Sequence, residues 1–288
     1  MIHDPHTIPQ TVKHALMMLG LYGNSALRIA PRARHSLQQR FTRREERLVF
    51  VVGAPRSGTT FLASVIGGCP EAVDLGEVTP LKASIPQLYA LPEDEAARRF
   101  RSILERVRRF ALVRALRGVE QTPETAFVLG AALEAYPQAK AIHIIRDGRD
   151  VACSLLEKGW LSAGRTGHDD VFAKFGMQPR FWVEPERAEE FVRASDATRA
   201  AWAWRRYVSA AREHPRTLEL RYQTLIREPD AAAVAIADHL AVPRQAVLAG
   251  LEKAYDRAIG RYRSDLSVEQ LADVEREAGA LLRELGFV

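Results

Sequence analysis

The amino-acid sequence predicts an α/β fold in which a central parallel sheet carries helices on both faces. Three observations carry that expectation. Residues 48–52 (LVFVV) and 141–145 (AIHII) are nearly continuous apolar runs, the pattern of strands buried on both sides. Long stretches of helical spacing alternate with them, as in βαβ units. A glycine-bounded loop, Gly53 to Gly58, joins the first run to a helical stretch.

The elements follow in order. Residues 1–44 form an N-terminal helical appendage. Its apolar run at residues 15–21 is short and follows His3, His6 and His14 rather than a basic segment. It therefore reads as an amphipathic helix docked on the domain, with contact to a membrane surface as the alternative, and not as a signal peptide or membrane span. Residues 45–288 form one domain. Its strands are 48–52, 141–145 and, more weakly patterned, 218–221 (LELR). Its helices are 93–116, 124–136, 186–212, 230–240 and 267–285. Residues 159–185 combine glycine and proline with Trp160, Phe172, Phe175, Phe181 and Trp182. A long aromatic loop of this kind is either a lid over an acceptor pocket or a surface loop pinned by its rings.

Composition narrows the function classes. The 288 residues hold 41 Lys and Arg against 36 Asp and Glu, a net charge of +5, and arginine supplies most of the positive charge. Guanidinium groups suit phosphate or sulfate, although a basic surface alone explains many of them. Eight arginines crowd between Arg98 and Arg117. They read as the solvated face of an amphipathic helix, or else as a surface for an acidic acceptor or membrane. Two cysteines, Cys69 and Cys153, are too few for a disulfide framework or a zinc site. A reducing cytoplasm is the expected compartment. No pattern matches a sequence-reading nucleic-acid motif, and the composition leaves room for a homodimer. Trp202, Trp204 and Tyr207 lie at helical spacing and read as core.

The loop itself is GAPRSGTT. Gly53 and Gly58 have the G-x-x-x-x-G spacing of a phosphate-binding loop, but Thr59 stands where a nucleoside-triphosphate site would have lysine. The backbone amides of Ser57, Gly58, Thr59 and Thr60 open a helix whose N-terminus attracts an anion. Their hydroxyls and the Arg56 guanidinium add donors. The second strand ends in Arg146 and not in an acidic magnesium ligand. The site therefore suits an anion of less concentrated charge than a triphosphate, held without a metal. Asp147 caps the helix that follows, with Asp150 three residues on in a capping-box-like arrangement. Ser154, two turns in, leans back toward Arg146. Together the two side chains form a second, separate phosphate position.

The pair PRSGTT and IRDGRDVACSL resembles the nucleotide-binding signature of the sulfotransferases that use 3′-phosphoadenosine-5′-phosphosulfate (PAPS). EQTPETAFVLG, LELRYQTLIREP and the segment from Ile259 to Phe287 resemble three further stretches of that family. The resemblance runs from about Arg47 to Val288, with 159–185 least similar, and implies a three-layer, P-loop-like fold with a parallel sheet. It implies that Arg56, Ser57, Gly58, Thr59 and Thr60 hold the 5′-phosphosulfate, and that Arg146 and Ser154 hold the 3′-phosphate. Tyr222 takes the position of a tyrosine that approaches the nucleotide, or is simply buried at a strand end. Gly260 and Arg261 match a segment that closes over the 3′-phosphate. Phe61 falls where an aromatic ring neighbours adenine, and core packing of the helix is the other reading.

The reaction so implied is in-line transfer of a sulfuryl group to an acceptor hydroxyl, leaving 3′-phosphoadenosine-5′-phosphate (PAP), with no metal. It needs a base and cations. Glu77, in VDLGEVTP, resembles the glutamate base of tyrosylprotein and related sulfotransferases; a salt-bridged or helix-capping glutamate is the alternative. Arg56 serves as the cation. His143, inside a strand, reads as buried, His168 as a loop residue and His214 as part of a turn. The sequence departs from the family in having Gln121 where a lysine precedes Thr-Pro. Arg56 or Arg165 is the expected compensation. Gln121→Lys should retain activity; a dead variant with intact nucleotide binding would give the glutamine a role of its own. A P-loop-type kinase or nucleoside triphosphatase, and a non-catalytic nucleotide-binding protein of the same fold, remain the rival classes. The acceptor is a small molecule, carbohydrate or lipid bearing a hydroxyl.

Overall fold

The computed structural model describes residues 10–33, 44–165, 178–253 and 259–288, and within the first helix the side chains from Leu16 onward. A sheet of β1 (Val49–Val52), β2 (Ala72–Gly76), β3 (Arg117–Glu120), β4 (Lys140–Ile145) and β5 (Thr217–Arg221) lies at its centre in the order β2-β3-β1-β4-β5. All four pairings are parallel.

Side-chain alternation along β1 explains its unbroken apolar run. Phe50 and Val52 enter one buried cluster, while Val49 and Val51 enter a second on the opposite face. The first cluster lies under α4 (Glu93–Phe110), α5 (Leu129–Ala135), α6 (Gly148–Lys158), α8 (Asp196–Arg212) and α13 (Val268–Glu284). The second lies under α2 (Thr59–Gly67), α10 (Pro229–Leu240) and α11 (Arg244–Leu251). Helices thus cover both faces, giving the three-layer architecture. Trp202, Trp204 and Tyr207 are buried in the first cluster.

Several expected boundaries shift. The helix expected over 93–116 stops at Phe110, and the chain then turns through Leu112, at φ +56°, into β3. The stretch expected over 124–136 begins as a 3-10 turn, Pro123–Val128, before α5. The stretch expected over 186–212 breaks after α7 (Ala188–Arg193). Ser195 restarts it, its Oγ accepting the Thr198 amide at 3.1 Å.

Two strands lacked an apolar signal. β2 contains Asp74, which pairs with Arg32 at 2.8 Å. β3 reads RGVE; Arg117 donates to the Leu240 carbonyl at 2.6 Å, and Glu120 is fully buried. Helix α3 (Thr79–Tyr89) follows β2 despite Pro80 and an internal Pro86.

Helix α1 (Gln10–Ile29) lays Tyr22, Ala26 and Ile29 into the first cluster. Leu16, Leu19 and Leu27 face outward. Among the described residues no helix is long and apolar enough to cross a membrane. The arginine-rich helix α4 departs from a purely solvated face at Arg108, which is buried. Its guanidinium donates to Glu105 at 2.5 Å and to the carbonyls of Glu45 and Leu116.

Candidate active site

β1 lies between β3 and β4; the chain runs from β1 toward β2 on one side of the sheet and from β4 toward β5 on the other, so the crevice at the carboxyl ends of β1 and β4 is the topological switch point. The loop from Gly53 to Gly58 occupies that crevice and leads into α2. A Cβ at position 53 would lie 2.5 Å from the Ile144 carbonyl oxygen, so only glycine allows the loop to press against β4. Gly58 adopts φ +101°, and a Cβ there would meet the Tyr222 ring at 2.9 Å. Arg56, without glycine's freedom, is held at φ +72°. Ser57 donates its amide to the Ala54 carbonyl at 3.0 Å. Its hydroxyl is buried with no hydrogen-bond partner among the described residues.

The second position forms at the end of β4. Arg146 is buried, donates to the Arg56 carbonyl at 3.0 Å and lies over the Tyr222 ring at 5.3 Å. Ser154, on α6, accepts a 2.9 Å bond from Arg56 Nε. The Arg56 side chain is therefore turned toward Ser154, on the side of the second position, while its backbone remains in the loop. Tyr222 opens the short helix α9 (Tyr222–Arg227) directly after β5, which puts its ring beneath both positions.

Asp147 caps α6 by accepting the Arg149 amide at 2.9 Å, but Asp150 does not complete a capping box. It accepts instead from the Gly260 amide at 2.8 Å and the Tyr262 amide at 3.2 Å. One carboxylate thus anchors the segment of Gly260 and Arg261 beside Ser154's helix. Arg261 pairs with Glu157 and, at 2.6 Å, with Asp265. These partners push its guanidinium pKa up, so its charge is fixed.

Glu77 follows β2 and Gln121 follows β3, and the two strand ends are joined by Gln121 N to Gly76 O at 3.4 Å. Gln121 also meets the loop's helix, Thr60 Oγ1 lying 3.4 Å from its Oε1. Glu77 is about one-third exposed and pairs with Lys82 of α3 at 2.7 Å; Lys82 in turn lies 3.8 Å from Glu124. The salt-bridged state of Glu77 foreseen from sequence is thus present, and it sits at the same sheet edge as the loop.

Glu120 is buried below this cluster, accepting from Thr122 N at 2.8 Å and Thr125 Oγ1 at 3.0 Å. Burial pushes its carboxyl up to about 7, with the charge of Glu77 adding to the shift. A folded value above the unfolded 4.5 means stability that is full below that pH and lost as pH rises through 7. Glu120→Gln should remove this loss. Relative to the variant, the native chain is expected to lose roughly 3 kcal/mol of unfolding free energy between about pH 5 and pH 8. Urea melts across that range measure it, and parallel pH profiles would contradict it.

The remaining candidates sort by burial. Phe61 is half-buried against the second core cluster, so packing occupies at least part of its ring. His143 is buried in β4, and burial pushes its imidazole pKa down to about 3, which removes it as a base near neutrality. Trp160 is partly exposed, 6.0 Å from the Arg56 guanidinium. Arg165 donates to the Lys158 carbonyl at 2.6 Å. Phe181 packs with Tyr89 and Phe127, and Trp182 is buried, so the far end of the 159–185 segment is pinned by its rings. His168, Phe172 and Phe175 lie outside the described residues. Sequence reasoning missed the ion pair of Lys82 with Glu77 and the anchoring role of Asp150, for which the RDGRD pattern suggests only a local cap.

A sequence profile described as the sulfotransferase family matches residues 49–246, well over half of the chain. No curated protein matches. Among solved structures, the sulfotransferase STF9 from Mycobacterium avium aligns with TM-score 0.51 at 16% identity, over 93% of this chain and 84% of that one. Mouse sulfotransferase SULT7A1, solved with PAP, gives 0.49 at 15%, over 88% and 90%. The sulfotransferase domain of the Synechococcus PCC 7002 olefin synthase gives 0.47 at 16%, over 87% and 97%. Structural likeness at such identities concerns the fold alone. The profile match decides the family: this chain belongs to the sulfotransferase family.

Proposed function

We propose that the chain moves a sulfuryl group from PAPS to an acceptor hydroxyl, with Glu77 as general base. The observation that carries this reading is the 2.9 Å bond from Arg56 to Ser154. It joins a phosphate-type loop to a second cationic position, as a donor with two separated phosphate groups requires. The buried Ser57 hydroxyl, with no hydrogen-bond partner among the described residues, supports an anion in the loop, because such a donor is costly to leave unsatisfied. When bound, the donor supplies the activated sulfuryl group.

The chain's own residues then divide the work. The amides of Gly58, Thr59 and Thr60, the Ser57 hydroxyl and the α2 N-terminus bind the phosphosulfate end. Arg146, Ser154 and the segment of Gly260 and Arg261 bind the 3′-phosphate. Tyr222 fixes the loop from below through Gly58. Glu77 takes the acceptor proton. We read residues 45–288 as the catalytic domain, residues 1–44 as its appendage, and 159–185 as the acceptor lid, with Trp160 facing Arg56. The cytoplasmic reading rests on cysteine usage, to which the free, buried state of Cys69 and Cys153 adds support.

The kinase or nucleoside triphosphatase reading is disfavoured by Thr59 at the lysine position and by Arg146 at the end of β4. Incubation with sulfur-labelled PAPS and a panel of phenols, sugars and lipid alcohols tests the proposal. Labelled sulfate ester is expected on at least one acceptor class. Label that never leaves the donor would support the non-catalytic reading.

A further inference from the structure

Transfer of a sulfuryl group builds negative charge on the sulfuryl oxygens and on the leaving phosphate oxygen, and a cation at that point accelerates it. Among the described residues two features leave the loop's Glu77 side short of one, and Arg32, which lies against Gly76, is committed to Asp74 at 2.8 Å. Gln121 contributes no charge where it contacts Thr60. Arg56 points the other way, bonded to Ser154. Lys82 is a cation on that side, paired with Glu77. It is 8% exposed, projects from α3, and brings its ammonium to 2.7 Å from Glu77 at the carboxyl edge of the sheet. Glu124, 3.8 Å away, holds it from the other side.

We infer that Lys82 is a catalytic residue, the cation that faces the transferring sulfuryl group. This role rests on the donor reading above. Its coupling to Glu77 gives it a defined moment of action. The acceptor oxygen forms its bond to sulfur as the bond from sulfur to the bridging oxygen breaks. The acceptor proton passes to the Glu77 carboxylate, and the electron pair of the broken bond stays on the phosphate oxygen. Protonated Glu77 no longer attracts Lys82 as a full anion. The ammonium carries three donors on a flexible four-carbon stem, so one holds Glu77 while another meets a sulfuryl oxygen of the bound donor, and that second contact strengthens as Glu77 takes the proton and charge forms on the transferring group. Lys82 thus supplies from α3 what Gln121 lacks at the end of β3.

Lys82→Met keeps the apolar stem and removes the charge. Calorimetric titration with PAPS and with PAP separates a contact to the sulfuryl group from a general defect. PAPS affinity is expected to fall about tenfold, the scale of one charge-assisted contact, with PAP affinity changed less than about twofold. Adding Gln121→Lys to Lys82→Met should restore most of the PAPS affinity, and Lys82→Arg should retain part of it. If Lys82→Met melts early because Glu77 and Glu124 lose their partner, the same titration is made with Glu77→Gln/Lys82→Met against Glu77→Gln. An equal loss for both ligands, or an unchanged PAPS affinity, would overturn the role. A native chain that binds neither PAPS nor PAP removes the donor reading itself, an outcome distinct from native binding that Lys82→Met leaves intact.

Discussion

Glu77→Gln is expected to lower kcat by roughly 10²- to 10⁴-fold, the usual contribution of a positioned base. PAP affinity should change less than about twofold, because the described ion pair of Glu77 is with Lys82 and not with the loop, Arg146 or Ser154. Its carboxylate pairs with Lys82 at 2.7 Å and is about one-third exposed, so an acceptor hydroxyl approaching the sheet edge can reach it. Glutamine preserves the shape and a hydrogen bond to an approaching hydroxyl, but it takes no proton. Neighbouring carboxylates do not substitute. Glu120 is fully buried with both oxygens bonded to Thr122 and Thr125. Glu124 is buried too, accepts from Tyr207 at 3.2 Å and has its pKa pushed up by burial. Single-turnover kinetics with saturating labelled donor would measure the loss. A variant within about threefold of native kcat would assign the base elsewhere.

Arg146→Ala is expected to weaken PAP binding by roughly a hundredfold, about 2.7 kcal/mol. Two losses combine. The guanidinium that meets the phosphate disappears, and charge-assisted contacts of this kind are worth about 1.5–3 kcal/mol each. The Arg56 carbonyl also loses the 3.0 Å donor that helps hold the loop at an unfavourable φ of +72°. Ser154→Ala removes one neutral partner and should cost about tenfold or less. Arg146→Lys restores charge without the planar fork and should recover only part of the affinity. Isothermal titration of the three variants, with melting temperatures to confirm folding, tests the order. Equal, small losses in all of them would place the 3′-phosphate away from this corner.

What the sequence disclosed follows from which residues act through near neighbours. β1 and β4 were legible because their side chains alternate between two apolar clusters, leaving no polar face to break the run. The loop was legible because Gly53 and Gly58 allow close approaches to Ile144 and Tyr222 that no other residue would. β2 and β3 were obscured by charges whose partners come from distant segments, Arg32 for Asp74 and the Leu240 carbonyl for Arg117. Asp150 looked like a local cap, yet the amides it binds lie more than 100 positions away. Lys82 was invisible because a helix holding Pro80 and Pro86 gives no periodic signal, and because its importance depends on where Glu77 points. The direction of Arg56 was likewise a property of the fold: the sequence placed it in the loop, and packing turned its guanidinium to Ser154.

On the reading proposed above, the crevice at the ends of β1 and β4 takes an adenylyl ligand with two separated phosphate positions. Calorimetric titration of the native chain with PAP in the presence of a chelator, set beside ATP and GTP with magnesium, tests it most directly. PAP is expected to bind in the micromolar range or tighter without metal, and the triphosphates at least about a hundredfold more weakly. Magnesium-dependent micromolar ATP binding with no response to PAP would contradict it.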